Sequence, residues 1–288
     1  MQLGPSELIL NADNSIYHLN LVPEDIADTI ITVGDPERVG DVSKYFDTIE
    51  IKKAKREFHT HTGTLNGKRL TVISTGIGTD NIDIVLNELD ALANIDFEKR
   101  TLKPNKNVLD IIRIGTSGAI QPDITVDSFL ISKYAMGFDG LLQFYDSESV
   151  QQTTISKAFT HHSNWPNRKS TPYVVTYDES LGNRFVSNRI RLGVTATNIG
   201  FYGPQGRTLR LKTDDSEFLE KLTSFDYQGI KITNLEMETS GIYGLCKLFG
   251  HRAVSLNCIL ANRVTGEFSK HPNEAVDKLI RYALENLS

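Results

Sequence analysis

The sequence predicts an α/β fold with helices on both faces of a mostly parallel sheet. Short β-type apolar runs alternate with segments whose apolar residues recur three and four positions apart. Three of these runs lead into glycine-containing segments, and ligands gather at such strand ends in folds of this kind. The 288 residues fit one α/β domain and no linker interrupts them, so we expect a single domain over residues 1–288.

Residues 1–97 are predicted to contain three strands. Residues 30–33 form a strand that ends at Gly34-Asp35-Pro36, where the proline suits the first turn of a helix. Asn66-Gly67 is a hairpin turn signal between strands at 58–65 and 70–74. After the glycines that follow, Asp80 is expected to cap a helix. The buried face of that helix is predicted to hold Ile82, Val85, Leu86, Leu89 and Leu92.

The second half continues the alternation. Polar residues 98–107 are predicted to form a loop, and residues 110–114 a strand that ends in a glycine turn at 115–118. Residues 146–176 have the weakest pattern and are expected to form an excursion from the core. The other predicted elements are strands at 129–132, 191–197 and 252–260, a helix at 217–225, and a terminal helix that buries Ala275, Leu279, Ile280, Ala283, Leu284 and Leu287.

Glu236 and Glu238 stand at the junction between an apolar run at 229–235 and a helical pattern formed by Ile242, Leu245, Leu248 and Phe249. A single glutamate in a first helical turn more often only favours the positive end of the helix. The glycine segments elsewhere in the chain favour a functional role for this pair.

Three arginines accompany the glycine segments and indicate a phosphate site. Arg38 follows Gly34 by four residues, Arg113 precedes Gly115 by two, and Arg56 lies in the charged run before a strand. A guanidinium matches phosphate oxygens in pairs, and glycine lets backbone N–H groups approach an anion. Each arginine taken alone is more often a solvated surface charge.

Other chemistries have weaker signals. The third glycine of a dinucleotide fingerprint is missing after Gly78. A nucleophile elbow has the spacing Gly-x-Ser-x-Gly, but here a glycine follows Ser117 directly, one position too early. The histidine pairs lack a third metal ligand at motif spacing. The net charge of -5 argues against general nucleic-acid binding. Cys246 and Cys258 have no metal or disulfide spacing, and Met1 to Pro5 do not begin a secretory signal, so we expect a cytoplasmic protein without a metal.

Eight motifs in order resemble the nucleoside phosphorylase superfamily, over nearly the whole chain. They are Tyr17-His18-Leu19, Val33-Gly34-Asp35-Pro36-Glu37-Arg38-Val39, Arg56-Glu57-Phe58, Ser74-Thr75-Gly76-Ile77-Gly78, Arg113-Ile114-Gly115-Thr116-Ser117-Gly118-Ala119-Ile120-Gln121-Pro122, Phe201-Tyr202-Gly203-Pro204-Gln205-Gly206-Arg207, Leu235-Glu236-Met237-Glu238 and Asn262-Arg263. The resemblance implies a three-layer α/β/α fold with a central mixed sheet. Asp80 and Asn81 depart from the family's usual residues beside a cation site of some relatives, so no cation is carried over.

The resemblance also implies roles for individual residues. The phosphate residues would be Gly34, Arg38, Arg113 and Thr116, with Arg56 from a partner subunit; the ribose residues would be Thr116, Met237 and Glu238, with His18 from the partner; and the base residues would be Phe201, Gln205, Arg207 and Glu236. Arg113, Thr116, Glu238 and Arg207 would be catalytic. Asn262 stands where purine-cleaving relatives carry an aspartate that protonates the base, and an amide cannot act as that acid.

The implied activity is phosphorolysis of uridine or a close pyrimidine nucleoside, with inorganic phosphate as co-substrate and no cofactor. The minimal unit would be a homodimer, with a hexamer of three dimers as a further option. Two alternatives stay open. A nucleosidase of the same fold would use water and would not need the three arginines, and a non-catalytic nucleoside-binding protein would not need a phosphate site.

Overall fold

The apolar pattern and the observed elements agree over most of the chain. The computed structural model describes residues 2–287, so Met1 and Ser288, which belong to the predicted domain, lie outside the described residues. The helices are α1 (Pro36–Ser43), α2 (Thr79–Asn94), α3 (Thr153–His162), α4 (Glu179–Gly182), α5 (Phe218–Ser224), α6 (Thr239–Phe249) and α7 (Pro272–Glu285). The strands are β1 (Thr29–Val33), β2 (Thr48–Lys55), β3 (Phe58–Leu65), β4 (Lys68–Ser74), β5 (Ile95–Asp96), β6 (Thr101–Leu102), β7 (Asp110–Ala119), β8 (Phe129–Gly137), β9 (Tyr173–Thr176), β10 (Arg191–Thr197), β11 (Asp226–Tyr227), β12 (Ile230–Glu236), β13 (Arg252–Asn262) and β14 (Glu267–Phe268).

Most strands belong to one mixed sheet with parallel strands at its centre. β1 lies between β4 and β7, and β7 pairs in turn with β13, all in parallel. β3 and β2 extend the sheet beyond β4 in antiparallel fashion. The carboxyl ends of β1, β4, β7 and β13 therefore meet at one edge, where ligands bind in α/β folds.

β12 closes part of this sheet into a ring of strands, which the sequence pattern did not predict. β13 pairs with β8, β8 with β10, and β10 with β12. β12 also pairs with β7, with Asn234 opposite Ala119 and Leu235 opposite Gly118. The order β7-β13-β8-β10-β12 thus returns to β7. Closure places the residues that follow β12 beside the second half of β7.

Helices cover the centre of the sheet on both faces. Nearly all residues of β13 are buried, as expected of a strand covered on each side. α6 and α7 both pack on β13, α2 packs on α6, and α1 packs on β3 and β4. The predicted α/β fold is confirmed, and so is the central mixed sheet that the family resemblance implied; the strand pattern alone had suggested a mostly parallel sheet. None of the helices described here is long and apolar enough to cross a bilayer.

Local signals in the first half are confirmed where adjacent residues decide the conformation. The Asp35 side chain accepts from the Glu37 N–H at 2.9 Å, and Pro36 opens α1. Leu65 pairs with Lys68, and both residues between them have positive φ, 51° at Asn66 and 76° at Gly67. These angles define the two-residue hairpin turn that Asn-Gly favours. The predicted buried face of α2 is buried at every position.

Two local predictions are wrong, one for a helix cap and one for a turn. Asp80 does not cap α2: it is exposed within the first turn, and the cap position belongs to Gly78, whose φ of 98° side chains rarely adopt. Residues 115–118 do not turn, because β7 continues through them to Ala119. Gly115 instead leaves space for the Arg113 side chain, since a Cβ at position 115 would lie 1.9 Å from Nη1 of Arg113.

The weakly patterned and charged segments hold structure that the sequence did not predict. Residues 146–176 are not an excursion: they contain α3, which buries Phe159, and β9, which pairs with β8. The predicted loop 98–107 contains β6, and the charged stretch before β3 forms the edge strand β2. Cys246 and Cys258 are free and buried, as predicted.

Candidate active site

A cleft of about 870 Å³ lies at the carboxyl edge of the parallel strands. The ends of β1 and β4, the second half of β7, and the segment after β12 all contribute to its walls. Of the residues singled out from sequence, the cleft is lined by Gly34, Arg38, Arg113, Thr116, Phe201, Gln205, Arg207, Glu236, Met237 and Glu238. The structure therefore brings together most of the predicted site, but not His18, Arg56 or Asn262.

Arg113 forms the buried centre of the cleft. Its Nη2 lies 2.7 Å from Oε2 of Glu238 and 3.2 Å from Oε2 of Glu236, while Nη1 donates to Oδ1 of Asn257 at 3.0 Å. Burial alone disfavours the cation, but the two carboxylates outweigh it and raise the pKa of Arg113. Arg113 therefore stays charged, and its position is fixed before any ligand binds.

The Glu236 carboxylate is held mainly by hydrogen bonds from backbone N–H groups and a hydroxyl. Its Oε2 accepts from the N–H groups of Glu238 and Thr239, each at 2.9 Å, and its Oε1 accepts from the Thr197 hydroxyl at 2.6 Å. Only 5% of the residue is exposed. These bonds fasten β10, β12 and the start of α6 to one carboxylate, which in turn orients Arg113. The predicted contact of Glu236 with a base stays a prediction.

Glu238 joins the end of β12 to the glycine segment after β4. Its Oε1 accepts from the Gly78 N–H at 2.8 Å, and its Oε2 accepts from Arg113. Burial raises the pKa of the Glu238 carboxyl, while Arg113 and the Gly78 N–H oppose that shift. Met237, the half-buried residue between the two glutamates, also lines the cleft.

One end of the cleft has unpaired hydrogen-bonding groups that suit an anion. Arg38 is half buried, and its guanidinium makes no hydrogen bond or ion pair with the residues described here. Burial lowers the pKa of Arg38 and the nearby Arg113 adds to this effect, while the carboxylates of Asp35 and Asp41 oppose it. Gly34 and Thr116 line the same space, and the Thr116 hydroxyl likewise has no partner within residues 2–287. A desolvated cation without a partner is costly unless an anion binds beside it.

The other end of the cleft is formed by the loop after β10. The guanidinium of Arg207 stacks 3.9 Å from the Phe201 ring centroid and donates to Phe201 O and to Gln205 Oε1, at 2.6 and 2.5 Å. Gln205 is buried, and its backbone carbonyl oxygen accepts a hydrogen bond from Arg263. Burial lowers the pKa of Arg207. A planar ring beside an ordered amide and a guanidinium can hold a flat polar ligand.

Arg263 is a site residue that the sequence motifs contained but to which no role was assigned. Its guanidinium donates to the backbone carbonyl of Gln205 from the position directly after β13, more than fifty residues further along the chain. Asn262, its neighbour, does not line the cleft: its Nδ2 donates to the carbonyls of Gln121 and Ile124, and its Oδ1 accepts from the Val264 N–H. Asn262 therefore shapes the turn after β13.

His18 and Arg56 lie together outside the cleft of their own chain. The Tyr17 ring contacts both, with centroid distances of 4.7 Å to His18 and 5.9 Å to the Arg56 guanidinium. Arg56 is exposed at the β2–β3 turn with a φ of 55°. His18 Nδ1 lies 2.6 Å from Glu88 Oε1. The predicted donation of both residues to a second copy stays a prediction.

Fold and cleft together define a class of α/β protein that binds an anion beside a flat polar ligand, with a buried Arg–Glu pair between them. The model of the phosphorylase superfamily matches residues 28–288, so the chain belongs to that family. It is 32% identical over 254 residues to a uridine phosphorylase of Thermococcus kodakarensis, which covers 88% of this chain and 80% of the relative. A Haemophilus influenzae uridine phosphorylase is 29% identical over 268 residues, covering 92% of each chain. A solved Trypanosoma brucei nucleoside phosphorylase, described as showing uridine phosphorylase activity, superimposes with a TM-score of 0.87 at 28% identity, covering 97% of this chain and 99% of its own.

Proposed function

We propose that this protein cleaves uridine with inorganic phosphate, giving uracil and ribose 1-phosphate. The observation that carries the proposal is the unpaired, half-buried Arg38 beside Thr116 and Arg113 at one end of the cleft. A nucleosidase would use water there and would have no anion to pair with the guanidinium of Arg38. The uridine phosphorylases among the relatives support the choice of nucleoside. No cofactor takes part, and phosphate is the co-substrate.

The chemistry follows from the placement of charge. As the C1′–N1 bond of the nucleoside stretches, its electron pair moves to the base and positive charge develops on the sugar. Glu238, between the two ends of the cleft, holds the ribose hydroxyls and stabilises that charge, and Met237 packs on the sugar. Phosphate, held by Arg38, Arg113, Thr116 and Gly34, forms a new bond to C1′ from the opposite face. Arg207 stabilises the departing uracil anion, which then takes up a proton.

The test of the proposed function is the phosphate dependence of cleavage. Purified protein is incubated with uridine, thymidine, inosine and adenosine, with and without phosphate, and base release and ribose 1-phosphate are measured. We expect uridine cleavage only with phosphate, and formation of one ribose 1-phosphate per uracil. Equal turnover in phosphate-free buffer would instead indicate a nucleosidase. The absence of turnover under every condition would favour a non-catalytic binding protein.

Base selection is expected to depend on the ordered loop after β10. Because Gln205 and Arg207 match the acceptors and the ring N–H of uracil, Gln205→Ala and Arg207→Ala should each lower uridine turnover about 10- to 100-fold, equivalent to about 1.5–3 kcal/mol. Arg210→Ala is the matched control, since Arg210 belongs to the same loop but does not line the cleft. Steady-state kinetics measure all three variants. Wild-type cleavage of inosine as fast as uridine would contradict the assignment of the base residues.

The catalytic unit is proposed to be a homodimer in which each subunit supplies His18 and Arg56 to its partner. Arg56→Ala and Glu238→Ala subunits are each expected to be nearly inactive. An equal mixture of the two should recover roughly a quarter of the wild-type activity, because random mixing makes half of the dimers mixed and each mixed dimer has one complete site of two. The measurement is activity after unfolding and co-refolding of differently tagged subunits.

A second mixture provides the control for the dimer prediction. Arg56→Ala mixed with His18→Ala should not recover, because both residues would be donated by the same subunit and neither site of the mixed dimer would be complete. Recovery in this mixture, or none in the first, would contradict the shared site. Assembly of three such dimers into a hexamer is compatible with this arrangement.

Free, buried Cys246 and Cys258 support a cytoplasmic location.

A further inference from the structure

A second cavity, of about 700 Å³, shares the loop after β10 with the cleft. Tyr202 and Leu211 of this loop line the second cavity, Phe201 and Gln205 line the cleft, and Arg207 lines both. Ligand pockets in proteins usually measure about 300–1,000 Å³, so the second cavity is large enough for a small molecule. The reaction proposed above assigns it no role.

The walls of the second cavity are mainly apolar, and three of them are aromatic rings. Phe138 follows β8, Trp165 follows α3 and Phe218 opens α5. Their ring centroids lie 5.3 Å (Phe138 to Trp165), 5.6 Å (Phe138 to Phe218) and 6.1 Å (Trp165 to Phe218) apart. The loop adds Leu209 and Leu211, which are 77% and 78% exposed. A flat apolar ligand would bury these side chains, which the chain itself leaves in contact with water.

The carboxylates that line the second cavity are already paired with cations. Asp214 lies 2.7 Å from Nη2 of Arg168 and 3.0 Å from Nζ of Lys169. Asp215 lies 2.8 Å from Nζ of Lys221. Neither carboxylate is therefore left to attract a positively charged ligand.

Two cations of the same cavity have no partner. Arg210 and Lys212 both line it, and neither side chain makes a hydrogen bond or ion pair with any of residues 2–287. An anionic group on a ligand would meet these two cations and form charge-assisted hydrogen bonds. The charges therefore favour an aromatic ligand with a negative group over a neutral or a cationic one.

Tyr202 connects the second cavity to the base end of the cleft. Tyr202 lines the second cavity, while its carbonyl oxygen accepts from the N–H groups of Gln205 at 3.0 Å and Arg207 at 2.8 Å. We propose that the second cavity is an effector site for a small aromatic anion, which holds the loop in the conformation that presents Gln205 and Arg207 to the cleft. A loop that is already ordered lowers the entropic cost of binding uridine, so the KM for uridine should fall. This effect on uridine rests on the proposed function, whereas binding of the anion does not.

The test uses two probes that differ in charge alone. The anion is 8-anilinonaphthalene-1-sulfonate, and the control is N-phenyl-1-naphthylamine, which has the same rings without the sulfonate. Trp165 is the only tryptophan of the chain, so energy transfer from it to either probe reports binding. Phosphate is present throughout to fill the anion end of the cleft. We expect the sulfonate to bind about 3- to 10-fold more tightly than the neutral probe, because of its two cationic partners.

Substitutions then locate the bound probe. Leu211→Ser should weaken binding of both probes about fivefold, because apolar contact area is lost. Arg210→Ala combined with Lys212→Ala should weaken only the sulfonate, to the affinity of the neutral probe. Leu102→Ser is the matched control, since Leu102 is 72% exposed on β6 and lines neither cavity. Arg38→Ala should also leave the affinity for the sulfonate unchanged, because Arg38 belongs to the cleft.

Steady-state kinetics measure the effect on the cleft. At a saturating concentration of the sulfonate probe, the KM for uridine should fall at least about twofold in the wild type, with the KM for phosphate unchanged. An unchanged or raised KM for uridine would overturn the effector role. Uridine cleavage by the wild type without probe is measured first, so this failure is distinguishable from failure of the proposed function.

Three binding results would overturn the site itself. The first is the absence of sulfonate binding to the wild type. The second is binding that Arg38→Ala weakens and Leu211→Ser does not, which would place the probe in the cleft. The third is a change in the sedimentation of Leu211→Ser without a change in its affinity for the probes, which would identify the exposed leucine as a contact between copies of the chain.

Discussion

Replacing Arg113 by alanine is expected to lower kcat/KM for phosphorolysis about 100- to 1,000-fold, and the KM for phosphate should rise. The side chain is proposed to contact phosphate, and it also orients Glu238 through the 2.7 Å ion pair. Removing it leaves Glu236 and Glu238 buried without their cation, which costs about 3–5 kcal/mol of folding stability. Steady-state kinetics with phosphate as the varied substrate, together with urea unfolding, measure both effects.

Two further variants separate charge from geometry at this position. Arg113→Lys keeps the positive charge but loses the planar fork, so its activity should lie between those of the wild type and Arg113→Ala. Arg69→Ala is the control. Arg69 lies at the start of β4, the end away from the cleft, where it donates to Glu50 and to two backbone carbonyls. A loss below about tenfold in Arg113→Ala, with the KM for phosphate unchanged, would contradict a direct phosphate contact.

The second large effect is expected at Glu238. Glu238→Gln keeps the shape of the side chain but removes the negative charge that stabilises the developing positive charge on the sugar. We expect kcat to fall about 100- to 1,000-fold, by analogy with the removal of one preorganised electrostatic group from an active site. The KM for phosphate should not rise, because Arg113 would have one carboxylate fewer to neutralise it.

Deoxynucleosides test whether Glu238 acts through the sugar hydroxyls. The loss in Glu238→Gln should be smaller with at least one of 2′-deoxyuridine and 3′-deoxyuridine than with uridine, because that analogue lacks a hydroxyl that Glu238 holds. Asp90→Asn is the matched control, since Asp90 pairs with His251 outside the cleft. The same loss with all three nucleosides would show that Glu238 does not act through either hydroxyl.

The sequence by itself determined those elements whose conformation is decided by neighbouring residues. The Asp35-Pro36 start of α1, the Asn66-Gly67 hairpin and the buried face of α2 were all predictable, because capping, positive φ and helical periodicity act over a few positions. The motifs also named most of the residues that line the cleft. Such signals identify residue types and local geometry without the partners that those residues meet.

The tertiary structure decided what depends on pairing between distant segments. Residues 115–118 were predicted to form a turn, yet β7 runs through them because β13 and β12 pair with it on either side. β2 was missed because an edge strand needs only β3 as a neighbour and tolerates charged residues. β9, in a weakly patterned stretch, is a strand because β8 offers it a partner.

The site itself depended most on these long-range contacts. Arg113 and Glu238 are 125 residues apart in the chain, and their ion pair exists because closure of the sheet by β12 brings the start of α6 beside β7. Sequence patterns record which side of a strand or helix is apolar, whereas strand order and ring closure are set by the packing of the whole chain. The residues of the site were therefore predictable individually, and their hydrogen-bond partners were not.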